Sequence, residues 1–175
     1  MGLQLIFVIE TNKTCKSDWI YIKETIEHFF IFDSTQVKFS KVYLDGKCKY
    51  RNKEKEIKSL IAQYKAGSKQ NESIVLFCFD CDEYDCRPED KKFLEDIQTY
   101  CDEKEYKFVW FCKDIEHVYL KERIENNKKK QRSELFMIRK DIQSINANDL
   151  MANTFGDKKS NIINVLSKYI TRKLN

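Results

Sequence analysis

The chain has 175 residues, of which 42% are apolar and 34% are charged, and its formal net charge is +4. This length and balance predict one globular domain spanning residues 1–175, and they exclude a disordered chain or one that needs disulfides to build a core. No apolar run approaches the ~20 residues of a membrane span, and the apolar start lacks the basic region and cleavage site of a signal peptide. We therefore expect a cytoplasmic protein without a membrane partner.

The first 112 residues alternate between buried strands and amphipathic helices. Continuous apolar runs, typical of strands covered on both faces, occupy residues 3–9, 42–44, 74–79 and 107–112. Apolar residues at helical spacing predict helices over 19–30, 54–65 and 88–100, the first of them capped by Ser17 or Asp18. This alternation predicts a three-layer α/β/α fold with a central, mostly parallel sheet of about four strands.

Residues 113–175 are predicted to form a mainly helical, basic part that packs on the same sheet. Residues 121–175 carry 13 Lys and Arg against 6 Asp and Glu, a net charge of +7, whereas the rest of the chain has 19 against 22, a net −3. The asymmetry indicates a polyanionic partner, although charge alone favours solvated lysines on a helical surface. Within this part, residues 126–130 predict a mobile loop and residues 160–174 predict a C-terminal helix.

The seven cysteines are an odd number in a chain without a secretory signal, which predicts reduced thiols. Cys78, Cys81 and Cys86 are close enough in sequence to suggest zinc. A structural zinc site pairs two short clusters, however, and the sequence lacks a second one with that spacing. Reduced, unpaired cysteines are therefore the expectation.

Acidic residues follow two of the predicted strands. Glu10 ends the first strand, and Asp80 and Asp82 end the third. Ligands bind beyond the carboxyl ends of strands in open parallel sheets, and in an extended chain two residues that are two apart point to the same side. Mg²⁺ prefers carboxylate oxygens, and a bound cation relieves the repulsion between them. The pattern predicts a divalent-cation site, although acids after strands also cap turns and helices.

A second polar group follows the fourth strand. Asp114 or Glu116 would supply a further ligand or a base, and His117 would supply a general acid or base. The competing interpretation is that these acids favour the first turn of a helix and that His117 lies on the surface. The sequence has no Gly-rich phosphate loop and no Gly-x-Ser-x-Gly motif, which argues against a P-loop nucleotide site and a serine hydrolase.

These motifs resemble those of the Toprim fold, which carries a Glu after strand one and Asp-x-Asp after strand three. The arrangement is more narrowly similar to the RloB-like and OLD-type nuclease branch of bacterial and phage-defence proteins. The opening of that branch, an apolar strand followed by Glu-Gly-x-x-Thr-Glu, is similar to residues 7–14, and its Asp-x-Asp-Glu is similar to residues 79–83. A family Phe-Glu pair is similar to Ile115-Glu116. Departures are Thr11 in place of Gly, Cys15 in place of the second Glu, and the absence of an Asn-Pro pair.

The resemblance implies that Glu10, Asp80 and Asp82 hold Mg²⁺ or Mn²⁺ and are catalytic, and that Glu116 assists, with a second ion. The implied activity is metal-dependent cleavage of DNA or RNA by an antiphage effector that works with a partner ATPase. The implied phosphate contacts are basic side chains of the rear part: Lys128, Lys129, Lys130, Arg132, Lys158 and Lys159. The alternative is a catalytically inactive Toprim-like module that binds a partner protein or nucleic acid.

Overall fold

Four parallel strands form the centre of the fold, which the computed structural model describes for residues 2–173. The strands are β1 (Leu3–Ile9), β3 (Val37–Tyr43), β4 (Glu72–Asp80) and β5 (Lys107–Phe111). Their order across the sheet is β3-β1-β4-β5, and every neighbouring pair is parallel. The predicted α/β class and central parallel sheet are confirmed.

Helices cover both faces of this sheet. The longer helices are α1 (Ser17–Phe29), α2 (Glu54–Gly67), α3 (Pro88–Glu103) and α5 (Lys129–Arg139). Shorter helices are α4 (Ile115–Leu120), α6 (Ile162–Leu166) and the 3₁₀ segments Lys47–Lys53, Asp141–Ser144 and Ala147–Leu150. One apolar core joins the sheet to α1, α4, α5 and α6, and a second joins it to α2 and α3. The three-layer arrangement follows from these two cores.

The apolar run of β1 forms a central strand because both of its faces are covered. Leu5, Phe7 and Ile9 face the core on the α1 side, whereas Ile6 and Val8 face the core on the α2 and α3 side. The edge strand β3 begins at residue 37, earlier than predicted, because polar residues alternate along it and hide its first half from an apolar-run search. No helix within residues 2–173 has the length and apolar character needed to cross a membrane.

The start of α1 differs from the prediction. Lys16 occupies the N-cap position with φ 55°, and no side chain caps the helix, so the prediction that Ser17 or Asp18 is the cap is wrong. Asn12 instead organises the preceding turn, since its Oδ1 accepts hydrogen bonds from the N–H groups of Thr14 and Cys15 at 3.0 and 2.8 Å. Asp18 lies on the inner face of the helix, where it is only 6% exposed.

The last part of the chain is less helical than predicted. α6 has five residues, and β6 (Thr171–Arg172) then pairs antiparallel with β2 (Phe30–Ile31). The single C-terminal helix predicted over 160–174 is wrong beyond α6, because pairing with β2 gives both backbones hydrogen-bond partners. Leu174, the end of that prediction, lies outside the described residues. The loop predicted over 126–130 is also shorter, since α5 begins at Lys129.

Candidate functional site

The connections of the sheet define where a ligand would bind. From β1 the chain moves to β3 on one side, and it then crosses back to β4 on the other side of β1. This reversal is a topological switch point, and it leaves a crevice beyond the carboxyl ends of β1 and β4. Glu10 and Asp80 lie at those two ends.

Glu10 and Asp80 meet at this crevice. Glu10 Oε1 accepts a hydrogen bond of 2.8 Å from the backbone N–H of Asp80, across 70 positions of sequence. Asp80 Oδ1 in turn accepts a hydrogen bond of 2.9 Å from the N–H of Ile115, the first residue of α4. The structure therefore places the first-strand glutamate against the end of β4, and it ties that end to the segment that carries Glu116.

Two further carboxylates complete what we call the acidic cluster, consisting of Glu10, Asp18, Asp80 and Glu116. Glu116 on α4 is fully buried, and within residues 2–173 its Oε1 has no hydrogen-bond partner while its Oε2 contacts the Lys129 ammonium. Asp18 in the first turn of α1 is also buried, and its Oδ1 accepts a hydrogen bond of 3.0 Å from the Ser17 hydroxyl. Buried carboxylates are uncommon unless they are paired or bind a cation.

The acidic cluster holds protons more tightly than ordinary carboxylates do. Burial raises the pKa of Glu10 to about 8, and the charges of Asp18 and Asp82 add to the rise while the Asp80 N–H opposes it. Burial likewise raises the pKa of Glu116 to about 7, against the opposing charge of Lys129. The pKa of Asp80 is raised well above its usual range by burial and then by Glu10. The cause is the same throughout: carboxylates that are removed from water and close to one another resist ionisation.

Lys129 supplies an ammonium that contacts Glu116. Its Nζ lies 2.8 Å from Glu116 Oε2, and the side chain is only 19% exposed. Burial alone lowers the pKa of Lys129, but the charges of Asp80 and Glu116 outweigh it and the pKa is raised. The sequence suggested Lys129 as a phosphate contact, whereas the structure turns it toward the acidic cluster.

Asp82 differs from Asp80 in its backbone conformation and in the groups that its carboxylate contacts. Its φ is 47°, which ends the extended run that the sequence prediction assumed. Its carboxylate forms an ion pair with Lys47, and Lys47 also lies 3.0 Å from Asp90 Oδ1. The two aspartates thus have different partners, although the charge of Asp82 still reaches Glu10.

The closest grouping of metal-ligating atoms lies elsewhere. Within residues 2–173, only Glu83, Asp85 and Cys86 bring three such atoms within 4.8 Å of one another. Lys113 already binds two members of this group, with its Nζ 3.1 Å from Glu83 Oε2 and in contact with Asp85. A lysine that neutralises an exposed acidic group satisfies it without a metal, so we do not assign an ion there.

The basic side chains predicted to contact phosphate are mostly engaged with acids. Besides Lys129, three of the six form ion pairs: Lys128 with Glu125 (2.8 Å), Arg132 with Glu122, and Lys159 with Asp149 (2.6 Å). Within the described residues, Lys130 and Lys158 have no such pair. Four of the six predicted phosphate contacts are therefore already paired with a carboxylate.

His117 and Asp114 take up structural positions. Asp114 Oδ1 caps α4 by accepting a hydrogen bond of 2.6 Å from the His117 N–H, as the capping interpretation expects. His117 Nε2 lies 2.8 Å from Asp157 Oδ1 on the loop before α6, and this contact holds the pKa of Asp157 below its usual range. The imidazole is thus paired with that loop rather than directed at Glu10 and Asp80. All seven cysteines are free thiols.

Sequence reasoning missed Asp18 as a member of the acidic cluster and the inward direction of Lys129. The helical spacing of both residues nevertheless indicates that they face inward. Asp18 precedes the buried residues Tyr21 and Ile22 by three and four positions, so it shares their face of α1. Lys129 precedes the buried Ser133 by four positions on α5. Helical phase would have placed both side chains on the inner faces of their helices.

Comparison with family models, curated proteins and solved structures finds no significant match to this chain. What can be stated of its class rests on the fold and the site. The chain is an α/β protein whose four-stranded parallel sheet carries a buried carboxylate cluster at its topological switch point.

Proposed function

We propose that this protein is a Mg²⁺- or Mn²⁺-dependent enzyme that cleaves phosphodiester bonds in nucleic acid, with a Toprim-like site. The observation that carries the proposal is the meeting of Glu10 and Asp80 at the switch point, next to a buried Glu116 whose Oε1 has no hydrogen-bond partner within residues 2–173. Hard divalent cations are bound through carboxylate oxygens of this kind. The proposed biological role, an antiphage effector that works with a partner ATPase, rests only on the motif resemblance.

The acidic cluster fits a divalent cation in its chemistry. Its members offer carboxylate oxygens, and their pKa values are raised first by burial and then by neighbouring carboxylates, a cost that a bound cation would relieve. Lys129 contributes a single positive charge against four carboxylates. Glu10, Asp80 and Glu116 would supply carboxylate oxygens to the ion, while Asp82 stays paired with Lys47.

A bound cation would activate water and stabilise negative charge on a phosphodiester. The residues of this chain would prepare that chemistry in separate ways. The Asp80 N–H fixes the orientation of the Glu10 carboxylate, and the Ile115 N–H does the same for Asp80. Lys129 keeps Glu116 partly ionised despite its burial, because the ammonium opposes the rise in its pKa.

The test is a cleavage assay on single-stranded DNA, duplex DNA and RNA, each with Mg²⁺, Mn²⁺ or EDTA. We expect cleavage that requires the metal and that Glu10→Gln or Asp80→Asn lowers by at least about 100-fold, the scale of losing a charge-stabilising group in an active site. The matched control is Asp96→Asn, which changes an exposed carboxylate on α3 and should leave the rate unchanged. Absence of cleavage on every substrate, or full activity of Asp80→Asn, would contradict the proposal.

One observation favours the alternative of a catalytically inactive interaction module. Lys129 places an ammonium beside Glu116 and close enough to Asp80 to affect its pKa, so the chain provides a cation of its own. Titration calorimetry with Mn²⁺ separates the two functions. If Lys129→Met binds Mn²⁺ and the wild type does not, the lysine takes the place of the ion and the inactive interaction module is supported. Mn²⁺ binding by the wild type supports the enzyme.

A further inference from the structure

Two cavities flank the segment 82–87, which follows β4 at the same edge of the sheet as the acidic cluster. The first has a volume of about 430 Å³ and is lined by charged side chains only: Lys47, Asp82, Glu83, Arg87, Lys113, Arg123, Asp90 and Asp114. The second has a volume of about 370 Å³ and combines Tyr84, Leu94 and Phe155 with polar side chains. The first cavity is charged and the second is partly aromatic, and the segment 82–87 contributes side chains to both.

Three of the four acids that line the first cavity are paired with its cations. Lys47 bridges Asp82 and Asp90, while Lys113 and Arg123 both contact Glu83. Arg87 is exposed and, within residues 2–173, forms no ion pair. Its guanidinium is therefore available to an incoming anion, and a planar guanidinium matches a phosphate in two hydrogen bonds.

The second cavity offers an aromatic surface next to these cations. Phe155 is 39% exposed, although large apolar side chains are usually covered, and its ring lies 5.2 Å from that of Tyr84 and 4.8 Å from that of Trp110. Lys113 Nζ lies 5.9 Å from the centre of the Tyr84 ring, so the aromatic surface adjoins the charged cavity directly. Aromatic faces that alternate with cations along a groove are the means by which proteins bind single strands.

We propose that these two cavities bind single-stranded nucleic acid, with Arg87 on a backbone phosphate and Phe155 stacked on a neighbouring base. The inference rests on the proposed function, and it names the substrate form that the same edge of the sheet would receive. A duplex is excluded because its bases are stacked inside the helix and cannot reach Phe155. DNA and RNA single strands share the phosphate and base chemistry, and parallel measurements distinguish them.

Binding is measured by fluorescence anisotropy in EDTA, with labelled oligothymidylate, oligouridylate and a duplex of the same length. We expect the single strands to bind at least about tenfold more tightly than the duplex. Phe155→Leu keeps an apolar side chain but loses the flat ring, and it should weaken binding about tenfold, whereas Phe155→Tyr should retain affinity. Thermal unfolding of Phe155→Leu verifies that the variant is folded.

Arg87→Gln tests the phosphate contact through its salt dependence. Removing one phosphate contact should lower the slope of log K against log[salt] by about 0.7 for a single strand. The matched control is Lys69→Gln, which removes an exposed positive charge from the loop before β4, at the opposite end of the sheet, and should leave the slope unchanged. An unchanged slope in Arg87→Gln, or one lowered equally by Lys69→Gln, would overturn the contact.

The binding measurement is independent of catalysis, so the two proposals fail separately. Single-strand binding that depends on Phe155, without cleavage in Mg²⁺ or Mn²⁺, would refute the nuclease and leave this inference standing. Cleavage by a Phe155→Leu variant with wild-type affinity would refute only this inference. Equal affinity for single strands and duplex, or no binding of any of the three, would also overturn it.

Discussion

Ionisation of Glu116 should control the stability of the metal-free protein, and Glu116→Gln tests this directly. The side chain is fully buried, its Oε1 accepts no hydrogen bond within residues 2–173, and its Oε2 lies 2.8 Å from the Lys129 ammonium. Burial raises its pKa from 4.5 to about 7. The folded protein therefore binds this proton more tightly than the unfolded chain does.

The sign and size of the effect follow from proton linkage. The stabilisation by the tightly bound Glu116 proton is complete below pH 4.5, where Glu116 is protonated in both the folded and the unfolded chain. It is lost as the pH rises through about 7. At about 1.4 kcal/mol per pKa unit, the full loss is about 3 kcal/mol. Between about pH 5.5 and about pH 8.5, the ionisation of Glu116 lowers the free energy of unfolding by about 2 kcal/mol. A Gln at this position cannot ionise, so the free energy of unfolding of the variant should lack this part of the pH dependence.

Urea unfolding followed by tryptophan fluorescence in EDTA measures the difference. The free energy of unfolding of the wild type should fall by about 2 kcal/mol more than that of Glu116→Gln over this pH range. Adding Mn²⁺ at high pH should restore stability to the wild type, by about 2.7 kcal/mol at a hundred times the dissociation constant. Identical pH slopes for the two proteins would refute the assignment of a strained, ionisable carboxylate, and no gain with Mn²⁺ would refute the cation site.

Substitutions at three further positions test local features of the fold. Tyr21→Phe should leave the free energy of unfolding unchanged or raise it by about 1 kcal/mol in urea titrations, because the buried Tyr21 hydroxyl has no hydrogen-bond partner within residues 2–173. Asn161→Ala should lower it by about 1–3 kcal/mol and speed amide exchange at Trp110, because the Asn161 side chain bonds both the Trp110 N–H and the Phe108 carbonyl at 3.0 Å on the open edge of β5. Asp114→Ala should lower it by about 1 kcal/mol and Asp114→Asn by less, since either acid or amide can cap α4.

The central architecture could be predicted because its signals are local. Continuous apolar runs such as residues 74–79 have few alternatives to a strand buried on both faces, and Pro88 fixes the start of α3 where it was expected. The end of the chain could not be predicted in the same way. The apolar spacing of residues 160–170 suits a helix, but the pairing of Thr171 and Arg172 with β2 depends on a strand 140 positions away, which local periodicity does not encode.

The site was predictable to the extent that sheet topology determined it. Parallel strands with terminal acids place Glu10 and Asp80 at one edge, where the Asp80 N–H donates a hydrogen bond to the Glu10 carboxylate. The position of Asp82 was not predictable from the motif, because one left-handed residue redirects its carboxylate to Lys47. A two-residue spacing fixes a shared direction only while the backbone stays extended.

The acidic cluster is difficult to explain as a device for stability. Each of its members has a raised pKa, which means that the folded state opposes their ionisation, and apolar side chains of similar volume would remove that cost. Lys129 offsets the cost only in part, since the pKa of Glu116 remains raised beside it. Strain of this kind is relieved by a ligand that brings more positive charge than one ammonium, and a divalent cation is the simplest such ligand.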